Sequence, residues 1–207
     1  PSEVRSLADR ILHTCGFPAF IKPCRAGSSV GISRVPDAAA LVPALAEAFK
    51  YDDRIMIEAE VKGREIECSV VGNGSPRAYG PGEVKPHHEF YSYEAKYLDP
   101  DGAELMIPAP ISEAERERVK AMAVAAYLAL ACEGMARVDF FLEEDSGDLL
   151  LNEINTIPGF TSISMFPSMC QSEGIEYPQL LSKLIDLGLE RFESQKRRDY
   201  HFSETAR

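Results

Sequence analysis

The chain has 207 residues, of which 45% are hydrophobic and 27% charged, enough to bury a core and ordinary for a globular fold. No apolar run approaches the roughly 18 to 20 residues that span a bilayer. The balance of 33 acidic against 22 basic residues, a formal charge of −11, opposes approach to nucleic acid or an anionic membrane surface, so a polyanionic ligand would have to be held by a few local cations or metal ions.

In chain order, Ser2 to Cys15 has helical spacing through Val4, Leu7, Ile11 and Leu12, with Gly16 as the stop. Phe17 to Lys22 reads as a strand, Cys24 to Gly31 as a small-residue loop, and Val30 to Arg34 as a second strand. Pro36 and Asp37 start a helix carrying Leu41, Leu45, Ala48 and Phe49, followed by a strand from Arg54 to Glu58. Glu65 to Gly72 and Pro76 to Gly80 flank Asn73-Gly74, the signature of a tight hairpin. Pro81 to Gly102 has too little periodicity for an element and reads as a long loop of the lid kind. Ser112 and Glu115 open a helix with a capping box that closes at Glu133-Gly134. Met135 to Leu142 and Leu149 to Asn155 predict a second hairpin. Ser164 is placed to cap a short helix, and Tyr177 to Phe192 predicts an amphipathic helix with Leu180, Leu181, Leu184, Ile185 and Leu189 inward. The mixed order of elements, without repeats, predicts an α+β fold.

Two stretches could carry chemistry. Strand alternation puts Arg137 and Asp139 on one side of their strand, and Glu153 and Asn155 on one side of theirs. If the two sides coincide, three oxygen ligands suited to magnesium converge with a guanidinium; a solvated acidic strand face is the alternative. Arg25 to Gly31 has the small residues that let backbone amides approach phosphate, though it is neither a Walker motif nor Gly-x-Gly-x-x-Gly, and a plain surface turn fits as well. Lys22, at a strand end beside this loop, is placed to grip phosphate. Five cysteines, odd in number and without paired or histidine-linked spacing, predict reduced cytoplasmic thiols and no zinc site. The sequence starts at Pro1 without a signal-like segment, as expected of a piece of a longer protein.

Taken together, Phe20-Ile21-Lys22-Pro23, Gly27-Ser28-Ser29-Val30-Gly31, Tyr93-Glu94-Ala95-Lys96-Tyr97, Arg137-Val138-Asp139 and Asn152-Glu153-Ile154-Asn155-Thr156 with Pro158-Gly159-Phe160-Thr161 resemble the D-alanine:D-alanine ligases from about Phe17 to Phe192. The resemblance implies an ATP-grasp fold, two α+β subdomains with antiparallel sheets clamping ATP. A central subdomain would take 1–80, its N-terminal part missing, and a C-terminal catalytic subdomain 81–207, with a lid at 86–102. It implies ATP contacts from Lys22, Ser28, Ser29, Glu58, Ala59, Val61, Glu65 and Lys96. Ala59 departs from the family's usual lysine. It further implies two magnesium ions, with manganese as a substitute, on Asp139, Glu153 and Asn155, and catalytic roles for Arg137, Ser28, Tyr97 and Gly159. Substrate contacts would come from Tyr97, Arg137, Gly159, Ser164 and Met165. The implied reaction joins two D-alanines through an acyl phosphate for peptidoglycan precursor synthesis, in a cytoplasmic enzyme for which a homodimer is allowed. Another ATP-grasp carboxylate–amine ligase, for example one taking D-serine as second substrate, and a non-catalytic nucleotide-binding module are the other readings.

Overall fold

In the computed structural model, described over residues 2–86, 103–161 and 164–197, local signals and packing account for the elements in two compact units. One comprises Pro1–Lys62 with Pro86–Glu104, the other Gly63–Lys85 with Leu105–Arg207.

In the first unit, helix α1 (Ser2–Thr14) precedes strand β1 (Ala19–Pro23) and strand β2 (Ser33–Val35). Asp37 accepts hydrogen bonds from the amides of Ala39 and Ala40, starting a short 3-10 turn that runs into helix α2 (Leu41–Ala48). Strand β3 (Ile55–Ala59) completes an antiparallel sheet in the order β2-β1-β3. Period-2 alternation sends Ala19, Ile21 and Val35 to one face, where they meet Ile11, Leu41, Ala44 and Ala48. Ile21, Val35 and Leu41 are completely buried, each worth about 1.5–3 kcal/mol. The second strand starts at Ser33 instead of Val30, because Gly31 takes a left-handed φ of 71° that ends the preceding turn.

The second unit is built on a five-stranded sheet in the order β6-β5-β4-β7-β8: β4 (Gly63–Val71), β5 (Arg77–Pro86), β6 (Ala103–Met106), β7 (Met135–Glu143) and β8 (Leu149–Asn155). The pairings β4–β5, β4–β7 and β7–β8 are antiparallel. Helix α3 (Glu113–Ala129) begins at the capping box, where Ser112 Oγ accepts from Glu115 N at 3.3 Å and the Glu115 carboxylate accepts from Ser112 N at 2.8 Å. It covers one face, burying Val119, Ala123 and Tyr127 against Ile66, Cys68, Val70, Val138 and Phe140. On the other face, Val71 and Tyr79 pack with Phe166 of α4 (Met165–Ser172) and Leu180 of α5 (Tyr177–Lys196). Asn73 ties the unit together at the hairpin turn: its amide oxygen accepts from Gly134 N at 3.0 Å and its amide nitrogen donates to Leu187 O at 3.1 Å.

Other expectations also change. β5 runs to Pro86, through residues expected to belong to the long loop, because Gly82 and Val84 pair with Glu67 and Glu65 of β4; residues 87–102 of the expected lid lie outside the described residues. The second compact unit begins at Gly63, where β4 starts to pair along its whole length with β7. On α5 the inward row is Leu180, Leu184 and Leu187, while Leu181, Ile185 and Leu189 are 41%, 64% and 59% exposed. Ser164 occupies the N-cap position of α4 without a side-chain capping bond; its hydroxyl accepts from Thr161 N at 3.0 Å instead.

Candidate active site

In the second unit the register of three strands assembles a polar patch on the sheet face opposite α3. Across β7 and β8, Arg137 stands opposite Asn155 and Asp139 opposite Glu153. A bulge after Asp139 resets the ladder there. Across β4 and β7, Glu67 stands opposite Asp139 and Ser69 opposite Arg137.

Arg137 makes a bidentate pair with Asp139, Nε to Oδ1 and Nη2 to Oδ2 both at 2.7 Å, and lies 3.1 Å from Glu67 Oε2. Asn155 donates from one amide nitrogen to Asp139 Oδ2 at 2.9 Å and Glu153 Oε1 at 3.2 Å. Burial alone would lower the affinity of Arg137 for its proton, but its hydrogen bonds to Asp139 and the charges of Glu67, Asp139 and Glu153 outweigh it and raise its pKa. The guanidinium is therefore a fixed cation at the centre of an acidic face.

The donor set fits a hard divalent cation. Two carboxylate oxygens from neighbouring strands already converge on a single electropositive point, the Asn155 amide group. Among the described residues no three His, Cys, Asp or Glu side chains are arranged to hold a metal, so a cation here would meet two carboxylates and a carboxamide from the protein. Glu65 shares the strand face of Glu67, opposite Phe141 of β7.

Past the end of β8, Gly159 approaches Ser164 so closely that a Cβ there would lie 3.1 Å from Ser164 Oγ. Ser164 Oγ is also 2.8 Å from Thr161 Oγ1, which folds the turn onto the start of α4. Phe160 holds this turn down, with its ring 5.7 Å from Phe166 and 5.4 Å from Tyr177, whose hydroxyl donates to Phe160 O at 3.1 Å. Met165 is buried and lies over β5, where a Cβ on Gly82 would come within 2.5 Å of its Cε.

In the first unit, the sheet face away from α1 and α2 carries Lys22 and Glu58, joined by an ion pair of 2.5 Å. Glu58 stands opposite Phe20, and Ala59 ends β3, with Val61 two residues on. The loop after β1 holds Ser28 and Ser29 at φ 53° and 60°, left-handed values that cost L-residues on the order of 1 kcal/mol or more each. Lys96 and Tyr97 fall outside the described residues.

Sequence reasoning passed over two residues of these assemblies. Glu67 was legible, since Glu65-Ile66-Glu67 alternates on a predicted strand and shares the face of Glu65. Asp52, whose carboxylate accepts from Arg25, left no signal, because a pairing across 27 positions has no local pattern.

Two antiparallel α+β units, one with a lysine and a small-residue loop and the other with a carboxylate–guanidinium patch, define the ATP-grasp class of folds. The family model described as D-ala D-ala ligase C-terminus matches residues 2–186, and the chain belongs to that family. A D-alanine--D-alanine ligase of Treponema denticola is 47% identical over 197 residues, 95% of this chain and 54% of the relative. The solved D-alanine-D-alanine ligase of Coxiella burnetii superposes with a TM-score of 0.82 at 38% identity, over 94% of this chain and 51% of that one. The VanG D-Ala:D-Ser ligase of Enterococcus faecalis gives 0.79 at 37% identity, over 88% and 53%. The chain thus spans about half the length of the relatives it matches. Among the described residues no helix is long and apolar enough to cross a membrane.

Proposed function

We propose that this chain is the ATP-binding catalytic part of a cytoplasmic ligase that joins two D-alanines to D-alanyl-D-alanine. The observation that carries the reading is the cross-strand patch in which Arg137, Asp139, Glu153 and Asn155 occupy paired positions of β7 and β8. Its supports are membership of the D-ala D-ala ligase C-terminus family and likeness to solved ligases.

In the proposed reaction, a carboxylate oxygen of the first D-alanine attacks the γ-phosphorus of ATP, ADP leaves, and an acyl phosphate results. The amine of the second D-alanine then attacks the acyl carbon, phosphate leaves and a proton is lost. Asp139, Glu153 and Asn155 would hold magnesium, which supplies positive charge against the phosphate oxygens. Arg137, pinned by Asp139 and Glu67, presents a cation that cannot lose its proton, which suits it to the oxyanion that develops on the acyl carbon. Gly159 adds a backbone amide to the same task. Ser164 and the amide of Met165, at the start of α4, receive the second carboxylate, a position the helix dipole favours. Lys22 holds nucleotide phosphate and must exchange its partner Glu58 to do so, while Ser28 and Ser29 belong to the phosphate loop and Glu58, Ala59, Val61 and Glu65 to the nucleoside site. Lys96 and Tyr97 complete the assignment from the lid.

The test is phosphate release and dipeptide formation by the full-length protein with ATP, magnesium and a panel of D-amino acids. D-Alanine alone should support both. Release that requires D-serine beside D-alanine would move the second substrate to D-serine, the substrate in the name of the Enterococcus protein. ATP binding without release for any amino acid would replace the ligase by a nucleotide-binding module.

A further inference from the structure

The loop between β1 and β2 holds two serines in left-handed backbone, a costly shape that attachments outside the loop help to hold. Both of its ends rest on one four-residue segment, Tyr51 to Arg54. At the start of the loop, Arg25 donates to Asp52 from its backbone amide at 2.7 Å, from Nε at 3.1 Å and from Nη2 at 2.5 Å. Asp52 also accepts from Arg54 N at 3.0 Å, and Cys24 N donates to Arg54 O at 3.0 Å. Arg25 Nη2 reaches Asp53 as well. At the end of the loop, Gly31 lies against the Tyr51 ring, where a Cβ would come within 2.5 Å of Cδ2.

The Asp52 side chain is only 1% exposed, whereas the arginine it holds is 68% exposed. A carboxylate buried to that degree and met by backbone and guanidinium donors is a fixed point, with the loop hung from it. Its pKa is lowered, first by the Arg25 hydrogen bonds, so it stays charged at any working pH. Between the two attachments, the loop keeps its own turn through Val30 N to Gly27 O at 3.1 Å and Ile32 N to Ser29 O at 3.3 Å.

We infer that Asp52 is a positioning residue for phosphate recognition: through Arg25 it sets the conformation in which the Ser28–Ser29 backbone presents its amides to the polyphosphate of the nucleotide. The inference rests on the nucleotide reading given above and deepens it. Asp52 acts through the loop, so its influence should scale with the phosphates of the ligand and spare the nucleoside.

The experiment measures binding of ATP, ADP and adenosine to the full-length protein by titration calorimetry, in wild type, Asp52→Asn, Arg25→Lys and the double variant. Asp52→Asn should weaken ATP by about tenfold, the scale of one lost charge-assisted hydrogen bond, with adenosine within about twofold of wild type. Arg25→Lys keeps the charge but loses the fork, and should show the same phosphate-selective loss at smaller size. The double variant should bind ATP no more weakly than Asp52→Asn, because both changes break one linkage. Equal losses for ATP and adenosine would overturn the inference by making Asp52 a purely structural residue, and so would unchanged ATP binding in either folded single variant. If Asp52→Asn does not fold, Arg25→Lys decides alone by the same comparison. Wild-type protein that binds no ATP would overturn the nucleotide reading itself, and this inference with it.

Discussion

Replacing Arg137 by methionine removes the guanidinium that faces the carboxylates of Asp139 and Glu67. The guanidinium makes two 2.7 Å bonds to Asp139 and lies 3.1 Å from Glu67, with side-chain exposures of 22%, 12% and 13% for Arg137, Asp139 and Glu67. Glu67 and Asp139 are paired across β4 and β7, so without Arg137 two carboxylates face each other at a half-buried site. Breaking a buried ion pair costs roughly 3–5 kcal/mol; the remaining exposure argues for the lower end, about 3 kcal/mol. Guanidinium chloride unfolding followed by circular dichroism should show that loss. Arg137→Lys should lose about 1–2 kcal/mol, since it keeps the charge and gives up the bidentate fork. Magnesium should recover part of the methionine variant's deficit by supplying positive charge beside Asp139 in place of the guanidinium. On the proposed function, kcat of the full-length protein should fall by about 10²–10³-fold, the usual cost of removing one group that stabilises a developing oxyanion. A methionine variant within 0.5 kcal/mol of wild type (the scale of a neutral surface change) and indifferent to magnesium would refute the claim that Arg137 is the electrostatic keystone of the patch.

Glu153→Gln keeps the shape of the patch and its bond to Asn155 but removes one of the two carboxylate charges of the proposed metal site; on the proposed function, ligation by the full-length protein should drop by orders of magnitude while nucleotide binding persists, measured by phosphate release and calorimetry. Gly31→Ala must place a methyl 2.5 Å from Tyr51 Cδ2 and 2.9 Å from Pro23 Cγ at a φ of 71°, and should destabilise the protein by about 2–4 kcal/mol in thermal unfolding. Burial pushes the Cys68 and Cys170 thiols up to about 12, so iodoacetamide at pH 8 should label exposed Cys24 in the native protein and reach Cys68 and Cys170 only after unfolding. Because the folded values lie above the ordinary thiol value of 9.0, the unfolded chain loses these protons first; stability should be unaffected below that pH and should fall as pH rises from 9.0 towards about 12 in urea titrations.

Much of the fold was legible because its signals are local. Ser112 and Glu115 form the box that starts α3, and Asn73-Gly74 turns the first hairpin. The orientation of α5 was not legible, since Leu180, Leu184 and Leu187 and the row Leu181, Ile185 and Leu189 are both apolar at helical spacing; only contact with Tyr79 and Phe166 chooses between them. Pro81 and its neighbouring glycines disguised the second half of β5, which exists because β4 supplies the ladder. In the candidate site, alternation predicted which side chains share a strand face, but the coincidence of the two faces is a matter of register, fixed by a bulge that no single strand reveals.

The amide of Asn155 has a consequence for the order in which the protein matures. By donating to Asp139 and Glu153 while Arg137 neutralises Asp139 from the other side, it lets these oxygens be satisfied from within the polypeptide. On the proposed function, cation loading is then a ligand exchange on a finished scaffold, and a chelator should silence turnover of the full-length protein without melting the sheet.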